Sequence, residues 1–160
     1  LSKVSTANST SSMTYDTTGK LWNFITQLDA AKVSQNMYGN DSTVGVESDL
    51  VNSYAWDTAI VFIQSMDSEN SNYANKTDGN GTLKNTGETG DEKSNIFDMA
   101  TNIREWTTEY CMDTRSGKAD TCTSMGGRYN IGSDYTTGRY RSATNGKIDC
   151  IGFRVLLYIK

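Results

Sequence analysis

The sequence predicts an α+β domain in which two helices pack on a small antiparallel sheet. Apolar residues recur at helical spacing in the first half of the chain, at Leu21, Trp22, Ile25, Leu28 and Ala31 and again at Trp56, Ala59, Ile60, Ile63 and Met66. Residues 67–93 are almost wholly polar. Near the C-terminus Ile151, Phe153, Val155, Leu157 and Ile159 occupy every second position, which places them on one face of a strand. At 160 residues with 10% aromatic content, the chain has the length and the large side chains for one core.

Residues 1–18 are rich in Ser and Thr, with Val4, Met13 and Tyr15 as sparse anchors, and read as a linker or edge segment ahead of a domain spanning 19–160. The spacing predicts a first helix over residues 20–32, with Phe24 beside its stripe, ending before Tyr38, Gly39 and Asn40. Between Val44 and Leu50 the pattern is mixed. Ser53 is expected to cap a second helix that carries the Trp56 stripe. In the polar stretch that follows, Asp78-Gly79, Asn80-Gly81 and Thr89-Gly90 signal turns, and Tyr73 and Leu83 are the expected anchors. A coil this long is either functional or pinned by a few side chains. Residues 94–110 return core material at Ile96, Phe97, Met99, Ile103 and Trp106, and 103–110 alternate like a strand entering a hairpin around MDTRSGKAD. Cys111 and Cys122 flank that turn and either bridge it or stay free thiols; Cys150 is left over.

Composition removes several function classes. His is absent, and with it the commonest general base and metal ligand. No Cys pair has zinc-site spacing. The formal charge is −4 with Lys and Arg scattered singly, which leaves no basic stripe for nucleic acid. Mean hydropathy is −0.58 and no segment is long and apolar enough to span a bilayer, so membrane insertion is not expected. The chain starts at Leu1 without a basic-then-apolar leader, and the expectation is a mature or excised fragment. The sequons at Asn8, Asn40, Asn75 and Asn80 are at chance level in so Asn-rich a chain.

Four landmarks stand in a specific order: LVNSYAWDTAIVFI at 50–63, NIFDMATNIREWT at 95–107, MGG at 125–127 and IGFR at 151–154. Together they resemble the C-type lectin fold of the formylglycine-generating-enzyme type, with its Trp-bearing second helix, its "YDMxGNVWEWT" signature, its "RGG" and its closing "GFR". The signature is altered at Thr101 to Trp106, where a Gly and the first Trp are lost, and Met125 replaces the Arg of "RGG". Within that family the chain most resembles the variable proteins of diversity-generating retroelements, found in phages, prophages and bacterial surface proteins. That resemblance implies a diversified region at 128–149, just before the terminal strand. In some relatives oxygens near the second landmark hold a calcium ion, for which Asn102 and Glu105 would be candidates. A paired carboxylate is the simpler reading of Glu105, and no metal or cofactor is assigned.

The segment 128–149 reads like a recognition surface in its own right. Tyr129, Tyr135 and Tyr140 offer rigid rings with hydroxyls, Arg128, Arg139 and Arg141 offer planar donors, and Asn130, Asp134 and Ser142 offer small polar contacts. Ile131, Ile148 and Asp149 complete the expected ligand-binding set. The resemblance implies a non-catalytic domain on a virion tail or bacterial surface that recognises a protein or glycan on a cell. The alternatives are a lectin of fixed carbohydrate specificity and, from a different class, a formylglycine-generating oxidase. The oxidase needs reactive cysteines in this segment, and 128–149 has none.

Overall fold

A computed structural model describes residues 21–38, 45–77, 81–113, 118–143 and 146–159, with backbone alone for 111–113 and 118–122. The linker expected at 1–18 and any bridge between the Cys111 and Cys122 side chains lie outside the described set.

Helix α1 spans Gln27–Met37, well after the predicted start, because Thr26 stays extended and its hydroxyl accepts from Asp29 N–H. The helix buries Gln27, Ala30, Val33 and Ser34, while Leu28 is exposed. Leu21, Trp22 and Ile25 are buried as expected, but from an irregular segment bent at Phe24, not a helical stripe. That segment runs along the end of the 128–149 region: Phe24 N–H donates to Ile148 O at 3.2 Å and Asn23 Nδ2 to Asp149 O at 2.7 Å. Strand β1, Val46–Leu50, occupies the stretch whose pattern was mixed. Helix α2 runs Ser53–Met66; its cap is Asn52, one residue earlier than expected, whose side chain accepts from Ala55 N–H. Trp56, Ile60 and Ile63 are buried on its inner side, and Met66 at its end is exposed.

Two short 3-10 turns, Ser68–Asn70 and Tyr73–Asn75, open the polar stretch, and β2 (Glu92–Lys93) pairs with β3 (Ile96–Phe97) at its end. Tyr73 is buried as the anchor the sequence predicts, but Leu83 is 38% exposed. Buried carboxylates hold the stretch instead. Asp91 accepts from Tyr73 Oη at 2.9 Å, Lys76 Nζ at 2.6 Å and Ala100 N–H at 3.0 Å, and Asp98 accepts from Gly87 N–H at 2.7 Å and from the Thr89 hydroxyl.

The expected hairpin is β4 (Arg104–Asp113) with β5 (Lys118–Met125), antiparallel. With β6 (Arg139–Ala143) and β7 (Ile151–Phe153) they form a four-stranded sheet in the order β6-β5-β4-β7. The sheet is mixed, since β7 lies parallel to β4. The single terminal strand predicted over 151–159 is broken. Arg154 leaves the ladder, and β8 (Val155–Ile159) pairs antiparallel with β1 in a separate ribbon. The break places Arg154 against Glu105: Nε and Nη2 each donate to a carboxylate oxygen at 2.9 Å, and Nη2 also reaches Phe97 O at 2.7 Å. The alternation is lost with it, Ile151 and Gly152 being buried while Leu157, Tyr158 and Ile159 are exposed.

Each of two core clusters is centred on a Trp. Trp106 packs with Trp22, Ile25, Val33, Leu50 and Ile151 and donates to Ile25 O at 2.9 Å; Trp56 packs with Val51, Ile60, Ile63, Met99 and Met125 and donates to Thr136 O at 3.1 Å. Both indole N–H groups are satisfied, as burial requires. The second bond fixes the middle of the 128–149 region directly to the core.

Candidate binding site

The 128–149 region leaves β5 through Gly126 and Gly127. Gly126 has a left-handed backbone, φ 94, and a Cβ on Gly127 would fall on the Ala100 carbonyl oxygen. The predicted Gly-Gly turn therefore has two steric causes, a backbone conformation and a close approach. On its far side the region returns through Cys150, which is buried and free, into β7.

Between these ends the expected site residues divide. Asp134 is 3% exposed and faces inward. Its Oδ2 accepts from Arg104 Nε at 2.8 Å and lies 2.7 Å from Arg104 Nη2. Arg128 Nε stands 2.8 Å from the same oxygen without hydrogen-bond alignment, and Nη1 is 3.5 Å from Cys150 Sγ. The other side of the Arg104 guanidinium lies 3.5 Å from the Tyr140 ring centroid, a stacked cation–π contact. Burial raises the Tyr140 phenol above its ordinary range, and its oxygen accepts from Tyr135 N–H at 3.0 Å. Asp134, Arg104, Arg128 and Tyr140 thus make a pedestal under the loop.

Thr136, not expected in the site, is fully buried and donates through N–H and hydroxyl to Lys76 O, both at 3.1 Å. Tyr129 is half-buried against the Trp106 cluster and its hydroxyl donates to Asp149 Oδ2 at 2.7 Å. That hydrogen bond, with burial and the carboxylate's charge, pushes the Tyr129 phenol up and keeps it a proton donor. Ile131 and Ser142 are half-buried.

Asn130, Ser133, Tyr135 and Ile148 are exposed. Arg139 is also exposed. Along β6, Arg139, Arg141 and Ala143 share the open side while Tyr140 and Ser142 share the other. Arg139 reaches Asp57 of α2 at 2.6 Å and Glu109 of β4 at 3.4 Å, so its guanidinium is already paired. These charges outweigh the burial that works against the guanidinium and hold it above its ordinary value.

Arg104 and Asn102 carry much of this geometry and were not in the expected set. Arg104 sits 30 residues from Asp134 in sequence, so no local pattern could reveal the pair. Asn102, singled out in sequence only as a calcium candidate, has a left-handed backbone, φ 72. Its side chain spans the Lys84 backbone, accepting from N–H at 3.1 Å and donating to O at 3.0 Å, and its carbonyl accepts from Tyr129 N–H at 2.8 Å. Glu105 is engaged by Arg154 as the simpler reading expects. Among the described residues no group of three or more His, Cys, Asp or Glu is placed to hold a metal.

No family model and no curated protein matches the sequence. The fold does match a solved structure, Treponema denticola variable protein 1, with a TM-score of 0.61 over 99% of this chain and 78% of that one, at 13% identity. The architecture is accordingly an α+β fold of the C-type lectin-like kind, and the likeness is one of fold.

Proposed function

We propose that this chain is a non-catalytic ligand-binding domain of the retroelement-diversified type, with residues 128–149 as its variable face. The observation that carries this reading is the division of that segment on a variable-protein fold. Asp134 and Thr136 are buried pins, while Asn130, Tyr135 and Ile148 are exposed and Tyr129 and Asp149 half-buried. A loop pinned from below is already ordered, so a partner does not have to offset the entropy of fixing it. The exposed set joins an aromatic ring to small polar and aliphatic groups, a composition suited to contacts with a protein or glycan. The proposed setting is the surface of a virion tail or a bacterial cell, where such a domain meets a receptor on another cell. Cys150 supports the non-catalytic reading, being buried against Arg128 with no His in the chain to act as its base.

The test is binding of the purified chain to a panel of bacterial cells by flow cytometry, with Asn130→Ala, Tyr135→Ala and Ile148→Ala combined. The expected result is a loss of about tenfold or more in affinity, roughly 1.4 kcal/mol, with an unchanged melting temperature. Equal binding by the triple variant to every cell type that the parent binds would remove the site assignment.

A further inference from the structure

The variable face is joined at two places to the polar stretch that precedes β2. At the near end, Gly81 N–H donates to Tyr129 O at 2.6 Å, and three residues on Lys84 is gripped by the Asn102 side chain through both backbone groups. At the middle, Thr77 and Tyr135 form an antiparallel bridge, and Lys76 O receives both donors of Thr136. Asp91 ties Lys76 to Ala100, and Asp98 holds Gly87. Thr82, Leu83 and Lys84 therefore have fixed backbones yet are all exposed. Thr82 and Leu83 lie within two Cα–Cα steps of Gly81, at most about 7.6 Å along the chain. The three residues thus flank the Tyr129 backbone, through Gly81 on one side and Asn102 on the other.

We infer that Thr82, Leu83 and Lys84 form a fixed lip of the binding face, contacting the partner whatever sequence the loop carries. This rests on the reading of 128–149 as the ligand face. The lip's chemistry points to a folded protein. Leu83 supplies an aliphatic contact at 38% exposure, and Lys84 supplies an ammonium on a flexible stem, which suits an apolar spot bordered by carboxylates. A lip ordered before binding adds a constant increment of affinity, and the loop then sets specificity.

The test displays the full chain on yeast with Asn130, Ser133, Tyr135 and Ile148 randomised, and selects binders to two acidic folded proteins, serum albumin and ovalbumin. Leu83→Ser with Lys84→Glu is then introduced into the selected clones, and Leu83→Ala alone serves where the double variant lowers surface expression. The expected result is affinity weakened by about tenfold or more in clones for both targets, at unchanged expression. Clones that change by less than about twofold overturn the lip while leaving the loop reading intact. If no binders emerge, the loop reading fails and the lip with it.

Discussion

Asp134 lies in the middle of a segment whose composition is that of a solvated loop, yet its carboxylate is buried between Arg104 and Arg128. Removing one partner from such a cluster leaves the others uncompensated, which costs more than the intact cluster contributes. Asp134→Ala is expected to lower unfolding stability by about 3–5 kcal/mol, while Asn130→Ala, at an exposed position, stays within about 0.5 kcal/mol. Urea denaturation of the two variants checks this, and equal effects would show that the pedestal is not what holds the loop. At this scale the sequence was least informative. Composition marks which residue types recognise partners, and Tyr135, Asn130 and Ile148 are indeed exposed, but it cannot separate them from Asp134 or Thr136. Burial there depends on Arg104, Lys76 and Trp56, all distant in sequence.

Among elements, α2 and the β4–β5 hairpin were legible because their cores are local: one helical stripe, one alternation on each side of a polar turn. The start of α1 and the terminal strand were not. Leu21, Trp22 and Ile25 meet helical spacing by coincidence while packing from an irregular segment bent at Phe24, and the run 151–159 is divided by Arg154, whose partner Glu105 lies 49 residues away. The polar stretch and this break share a titration behaviour. Burial raises the carboxyls of both Asp98 and Glu105, in Glu105 against the opposing pull of Arg154. A carboxyl raised in the folded state favours the proton there, so its contribution is full below the unfolded value and is lost as pH rises through the folded one. With no His in the chain, the side chains titrating at ordinary values between about pH 4 and 7 are carboxyls. The contribution of these two groups is therefore expected to grow as pH falls from 7 through the raised folded values toward the ordinary carboxylate range near about 4, so that the urea midpoint of the parent gains on that of an Asp98→Asn, Glu105→Gln variant across that window. A parent that gains nothing on the variant would contradict the raised carboxyls.

At the scale of the molecule, four short landmarks in order were enough to suggest the fold, although no family model matches the chain. They mark places where packing leaves little choice: Trp56 bonded to Thr136, Asn102 with its left-handed backbone, Trp106 within the other cluster, the Gly126-Gly127 turn, and Gly152 packed against Trp22 and Ile103. The frame they define holds 128–149 from beneath and beside, and the proposed function requires that this face can change while the frame stays. Saturation substitution of every position from 128 to 149, sorted once for protease resistance and once for binding to cells recognised by the parent chain, tests that requirement most directly. Substitutions at Asp134 and Thr136 are expected to fail the first sort, while those at Asn130, Ser133, Tyr135 and Ile148 pass it and lose or change binding in the second. If the exposed positions pass both sorts with binding unaltered, 128–149 is not the recognition face.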